Sequence, residues 1–474
     1  MKNNRLKNII IYFLSFVSSA VGIFLNFFLA KVLGAGEFGR IQYLIALSNT
    51  SAQVMIFGLN NFLIKEAKNV DQDGQIFNKC FSLYLCIVIF TFPIFYFVLY
   101  NYASGLMNSW FLTIVVLIIG ILIGSNSLIA AFFQGNGKYH LTIIFENLIP
   151  KAAMLFVSIM LLLIMKSQNF NALYLVFYIV VYFLATIPFI VINFRKINLK
   201  FKKEEIITIV FFFGITLTYS LGNNLTKVLQ GGLYKNDVAL AIISVSLSIV
   251  SLVKVFTGVL DSMVKPIFAK KKRENDFTGV IGMYRFDTRM NSYVIIPLYI
   301  FFCMHSNRFL SLFGTDFMTY PSILLIISLA NCIGDITGPN GTMLAMTGKE
   351  KWELFNGILY FGFYLACTFI FSFDKVYGLS WALFVATVAV NVAKYIEVWI
   401  FYKSPPLDIK TIISLALIVF VNSIIIFLLK FLSFDNFIWF LIGIGVGVVL
   451  VFFNCFVLSL RGGSDFKQML SLKL

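Results

Sequence analysis

Six cationic side chains fall inside or at the edge of apolar runs: Lys31, Arg40, Lys151, Lys227, Lys254 and Lys394. Two carboxylates share that setting, Glu146 ahead of Pro150 and Lys151, and Asp261 seven residues beyond Lys254. A lysine at the centre of a membrane helix costs about 2.5 kcal/mol or more on insertion scales, so it needs water, a partner charge or an anionic ligand. Lysine offers a phosphate a point charge without bidentate geometry. A carboxylate at a partly dry depth tends to hold its proton, which suits it to exchange a cation. The spacing of these residues sorts them further. Lys254 and Asp261 lie two helical turns and about 10 Å apart on one face, whereas Glu146 and Lys151, five apart, do not share an α-helical face closely. Simpler roles compete. Lys31, Arg40 and Lys227 lie near a helix end and can snorkel to headgroups. Asp261 can cap the end of its helix beside Lys265, and Lys394 and Glu397, three apart, can neutralise each other.

Helices must position these groups. Of 474 residues, 60% are hydrophobic and 12% charged, which is the composition of an integral membrane protein. Apolar runs of about 20 residues follow one another with short polar breaks, the pattern of membrane-spanning helices rather than of alternating barrel strands. The expected spans are 9–31, 39–63, 80–100, 110–133, 142–165, 172–193, 206–229, 239–262, 284–304, 320–345, 354–372, 378–402, 409–430 and 437–459, about 14 in an all-α fold. Polar stripes at spacings of three and four mark the cavity-lining helices. Ser15, Ser19, Gly22 and Asn26 mark the first, and Gln42, Asn49, Gln53 and Asn60 the second. Thr216, Ser220, Asn223, Lys227 and Gln230 mark the seventh; Ser244, Ser248, Ser251, Lys254, Gly258 and Asp261 mark the eighth. The small residues among them also suit helix-to-helix contact. Asp335, among the breakers of "NCIGDITGPNG" (331–341), predicts a bent or interrupted tenth helix.

Orientation follows from the 37 Lys and Arg residues. Alternate loops collect them, as in "FRKINLKFKKEE" (194–205) and "KPIFAKKKREN" (265–275), while the opposite loops hold Lys166, Lys235, Arg308, Lys375 and Lys430. Cations near helix ends stay on the cytoplasmic side, so both termini are expected there. The net charge of +16 reads as topology and contact with anionic lipid, not as nucleic-acid binding. "MKNNRLKN" precedes a long apolar run without a small-residue cleavage site and reads as a retained first helix. Six irregularly spaced cysteines and two histidines predict neither a disulfide framework nor a metal site, and no Walker-type loop or other cofactor motif is present.

The chain repeats itself. "KVLGAG" (31–36) returns as "KVLQGG" (227–232), each at the end of the first helix of a half, and "QGNGKY" (134–139) is echoed by "TGKEKW" (347–352). Six helices separate the equivalents, an even number, so the halves form a parallel repeat.

"LAKVLGAGEFGRIQYLIAL" (29–47) resembles the first outer turn and second helix of Wzx-type polysaccharide flippases, and "QGNGKYH" and "AMTGKEKW" resemble that family's turns after the fourth and tenth helices. The resemblance spans nearly the whole chain and places it in the superfamily of multidrug and toxin extruders and lipid II flippases. It implies two six-helix lobes, 1–200 and 201–403, around a central cavity, with two extra helices and a tail at 404–474. It also implies a bacterial cytoplasmic (inner) membrane protein that is not an enzyme. Such a protein would flip undecaprenyl-diphosphate-linked oligosaccharide by alternating access for O-antigen, lipopolysaccharide or other surface polysaccharide. The substrate-binding set would be Lys31, Arg40, Lys151, Asn223, Lys227 and Lys254, and Asp261 and Glu146 would couple a proton or sodium ion. Membrane lipids, a polysaccharide polymerase and a chain-length regulator are the expected partners. The chain departs from the family in carrying mostly lysine where arginine is common. A drug antiporter of the same superfamily is the alternative, although such exporters favour an acidic cavity. A membrane polymerase or ligase is a further one, which would have to work with His305, Arg308 and Asp316 on the outer loop at 305–319.

Overall fold

The computed structural model describes residues 2–70, 74–102, 110–136, 138–164, 170–194, 196–432 and 436–458, and among them every regular element is helical. The expected tail, 459–474, lies outside them. The helix α1 (Lys2–Ile56) takes in the first expected span and most of the second. Gly34 breaks it at φ 73° and ψ 172°, a conformation open to a residue without Cβ. Next come α2 (Leu59–Val70), α3 (Gln75–Tyr102), α4 (Trp110–Gly135), α5 (Tyr139–Ile143), α6 (Ile149–Ile164), α7 (Phe170–Asn193) and α8 (Lys203–Leu229). The helix α9 (Asp237–Arg273) leads to α10 (Phe277–Met304), α11 (Ser306–Ser311), α12 (Ser322–Ile336), α13 (Asn340–Met346), α14 (Glu350–Ile370), α15 (Gly378–Tyr402), α16 (Ile409–Leu428) and α17 (Asn436–Phe453).

Among the described residues, ten helices are long and apolar enough to cross a membrane, or 11 if the pair α12 and α13, bent by 41°, is one span. The protein is therefore a multi-pass membrane protein. The expected 14 is reached only if α1 is divided at Gly34 and α8 and α10, 27 and 28 residues long, also span. Two breaks match the sequence reading: the Gly34 turn and the α12–α13 interruption at Gly338 and Pro339, just beyond Asp335.

The chain forms two compact units, Met1–Ser244 and Val245–Leu474. In the first, α4 is the central helix, with Val116, Leu117, Ile119 and Leu128 fully buried. An aromatic cluster of Phe77, Phe132, Phe133 and Phe189 packs edge to face at centroid separations of 5.2–5.7 Å. The geometry suits the ring quadrupole and fixes α3, α4 and α7. In the second unit, α16 and α17 are built in. The Phe301 ring stacks on Trp439 at 5.0 Å, Asn454 Nδ2 donates to the Tyr293 carbonyl at 3.1 Å, and Asn422 Nδ2 donates to Asn454 Oδ1 at 3.2 Å.

Candidate functional site

In the first unit the polar stripes of α1, α2 and α8 face one another. Lys227 Nζ donates to Gln42 Oε1 at 3.5 Å, Gln42 Nε2 donates to Asn26 Oδ1 at 3.1 Å, and Asn61 Nδ2 donates to Thr216 Oγ1 at 2.9 Å. The side chain of Asn223 lies outside the described residues. The stripe positions recur every three or four residues because one helical face must answer another, and the amides and hydroxyls there make that face polar.

Lys151 is half-buried on α6 and lies along α1 at Gly22, where a Cβ would stand 3.2 Å from its Cδ and 3.6 Å from its Nζ. The absence of a side chain at Gly22 is what gives the lysine stem its berth. Glu146 and Lys151 act on each other electrostatically. Residues Ile144–Leu148 form a π turn, in which the Ile149 amide donates to the Ile144 carbonyl. Five residues make up one repeat of that turn, so the helix after it is set about one residue out of phase with an unbroken α-helix. Pro150, which lacks an amide hydrogen, sits just after it.

Lys31 and Arg40 are more exposed. Lys31 is exposed, its ammonium 5.5 Å from the centre of the Phe27 ring. Arg40 is exposed and bridges two carboxylates, Glu37 Oε1 at 2.8 Å and Asp237 Oδ2 at 3.1 Å.

The second unit gathers carboxylates. Lys254 is exposed on α9. Asp261 is half-buried on the same helix and accepts from Thr342 Oγ1 at 3.4 Å. Since α9 continues to Arg273, Asp261 is interior and does not cap the helix. Asp335 accepts from Tyr299 Oη at 2.7 Å and feels the charge of Lys254. Asp287, fully buried on α10, accepts from Asn291 Nδ2 at 2.9 Å and is electrostatically linked to Asp261. Sequence reasoning misses Asp287 and Tyr299, because what they meet, Asp261 and Asp335, lies on other helices. Arg285 anchors the turn after α15, Nη2 donating to the Pro405 carbonyl at 2.7 Å. Among the described residues no three His, Cys, Asp or Glu side chains converge as a metal site.

Two further pairings differ from the sequence reading. Lys394 is paired with Glu353 of α14 at 2.7 Å, and Glu397 accepts from Asn356 Nδ2 at 2.6 Å. The close polar partners of Lys394 and Glu397 thus come from α14, while Lys394 also acts on Glu397 electrostatically. In the segment after α10, His305 Nε2 meets the Ile426 carbonyl at 2.9 Å and Arg308 Nη1 donates to the Leu432 carbonyl at 3.1 Å. Both side chains hold α16 and its following turn against the end of α10, which is a structural use.

Solved structures share this fold. The Lipid II flippase MurJ in an inward closed conformation superposes with a TM-score of 0.71 at 15% identity, covering 98% of this chain and 99% of that one. The MATE multidrug transporter DinF-BH gives 0.62 at 11% identity, covering 84% and 95%. An inward-facing multidrug resistance MATE family transporter of the MOP superfamily gives 0.61 at 9%, covering 81% and 94%. No curated protein sequence matches the chain. The model of the family described as "Polysaccharide biosynthesis protein" matches residues 28–320, more than half of the 474. The chain belongs to that polysaccharide biosynthesis family and shares its fold with the MurJ and MATE structures.

Proposed function

We propose that this protein flips oligosaccharide repeat units linked to undecaprenyl diphosphate from the cytoplasmic to the outer leaflet of a bacterial inner membrane, by alternating access coupled to a proton or sodium ion. The observation that carries this reading is Lys151, a cation half-buried on an apolar helix and berthed on Gly22. A diphosphate crossing a low-dielectric medium needs compensating charge, and lysines at depth supply it. The polar face of Asn26, Gln42 and Lys227 offers amide and ammonium groups to the sugar and phosphate. The carboxylates Asp261, Asp287 and Asp335 of the second unit are the candidates for coupling, joined in the first unit by Glu146.

Both termini are assigned to the cytoplasm on the loop charges, so a reporter fused after Lys272 reads as cytoplasmic and one after Lys235 as external. Cells lacking the protein and any redundant flippase accumulate lipid-linked repeat units on the cytoplasmic leaflet while glycosyl transfer continues. In those cells Lys151→Ala fails to restore surface polymer at normal expression, and Lys151→Arg restores much of it. Normal polymer without the protein refutes the reading. The three carboxylates of the second unit favour one other reading, extrusion of cationic drugs. Resistance to such drugs that follows expression, with polymer unaffected by deletion, would favour it.

A further inference from the structure

The residues that follow the first lysine and glycine motif lie directly on its repeat. Tyr43, nine residues beyond Gly34, is 1% exposed and rests on Gly231 and Gly232. A Cβ at Gly231 would overlap the ring, and one at Gly232 would stand 3.3 Å from the phenol oxygen. One helical turn earlier, Gly39 brings α1 so close to the start of α9 that a Cβ there would overlap the Asp237 carbonyl oxygen. Arg40 closes the rim, its guanidinium shared between Glu37 at 2.8 Å and Asp237 at 3.1 Å. The three side chains are 50%, 43% and 20% exposed. Behind the rim lies the chain of hydrogen bonds from Lys227 to Gln42 to Asn26.

The composition of this contact is that of a joint made to separate. Its interlocking part is a single ring against bare backbone, because glycine occupies each place where a side chain would key the helices together. The turn from α8 into α9 is already irregular, a π turn at Gln230–Tyr234 followed by Lys235 in the left-handed region, so it can change without unwinding a helix. The ion pairs are partly exposed, and exposed pairs contribute little and are screened by salt. They bias a position and do not weld it.

We propose that the repeated motifs form a reversible latch, with Tyr43 seated on Gly231 and Gly232 and Arg40 bridging Glu37 and Asp237. Its release opens the outer end of the polar face that leads to Gln42 and Lys227. Arg40 is then a positioning residue that sets how often the path is open. The proposal rests on the transport reading for its purpose, and its test does not need transport.

A cysteine placed at Gln42, which is buried behind the rim, is exposed to a membrane-impermeant maleimide added from outside, with the otherwise native chain as control. Labelling is slow with the latch intact. It quickens by about threefold with Arg40→Ala or Asp237→Ala, the scale of an exposed ion pair, and falls back with Arg40→Lys. Raising salt quickens it with the native latch residues, so the measurement survives a variant that fails to accumulate. A short bifunctional thiol reagent across Arg40→Cys and Asp237→Cys suppresses both labelling and export. Labelling indifferent to Arg40→Ala, Asp237→Ala and salt alike overturns the latch, as does full export by the cross-linked form. Labelling that responds while no lipid-linked oligosaccharide ever moves upholds the latch and removes the proposed function.

Discussion

Removing one member of the pair Lys394 and Glu353 is the most severe single charge change that the fold predicts. The two side chains are 8% and 9% exposed and their charged atoms are 2.7 Å apart, so solvent screens them little. Breaking a buried pair from one side leaves a charge without compensation and costs about 3–5 kcal/mol. That is a factor between about a hundred and a few thousand in the unfolding equilibrium, at 1.4 kcal/mol for each tenfold. The second unit spans residues 245–474. For a unit of that size 1 kcal/mol moves the midpoint by about 2–4 °C, so Lys394→Met lowers it by about 6–20 °C. Replacing both partners, as Lys394→Met with Glu353→Leu, removes charge and counter-charge together and recovers most of the loss. The chain supplies its own probe, because Cys80, Cys367 and Cys455 are buried and become reactive to a thiol-sensitive dye as the detergent-solubilised protein unfolds. Midpoint losses under about 2 °C for both single variants, or losses that simply add in the double variant, refute the argument.

Three other outcomes follow from positions described above. Lys254→Ala and Asp261→Asn each abolish export at normal expression and Lys254→Arg retains much of it, whereas polymer at the normal rate in both would move the working charge to Lys31, Lys151 and Lys227. The Asp276 carboxyl, in the turn between α9 and α10, is held down to about 2 by hydrogen bonds from the Lys271 ammonium, the Gly279 amide and the Thr278 hydroxyl. Its folded value lies below the unfolded one near 3.9, so the turn is fully stabilised above pH 4 or so and loses that contribution as pH falls towards 2. Protection of the Gly279 amide from exchange, taken relative to its intrinsic rate at each pH, should fall over that window and lose the dependence in Asp276→Asn. Trp439→Ala empties a fully buried site against Phe301 and His305 and costs about 3–5 kcal/mol. Truncation after residue 403 removes the same contacts, and its failure to destabilise the second unit would show α16 and α17 to be dispensable.

The membrane class, the helical fold and most helix ends were legible because apolar run length is a one-dimensional signal. The interruption after Asp335 was legible because Gly338 and Pro339 act locally on the backbone. The stripe on α8 was legible as a face, and its partners Gln42 and Asn61 lie on helices that carry polar stripes of their own. What stayed hidden depends on which helix faces which. Lys394 had a neighbour three residues away in sequence and chose Glu353, 41 residues away. Arg40 read as a cation for the substrate, and its engagement by Asp237 required two motifs 196 residues apart to meet. Asp287 went unread because its link to Asp261 runs between two helices.

The π turn at Ile144–Leu148 gives one charge an address set by counting. An α-helix turns about 100° with each residue. Winding the same five residues as ordinary α-helix would swing everything after them by about that angle relative to α5. Lys151 would leave Gly22 and point at a different neighbour, although no residue of the berth itself had changed. In this segment the phase of the helix, and not the identity of the lysine alone, is what descent must preserve. Relatives with one residue fewer here keep their cation on the same side only if the turn closes as ordinary α-helix, because the π turn absorbs the one extra residue.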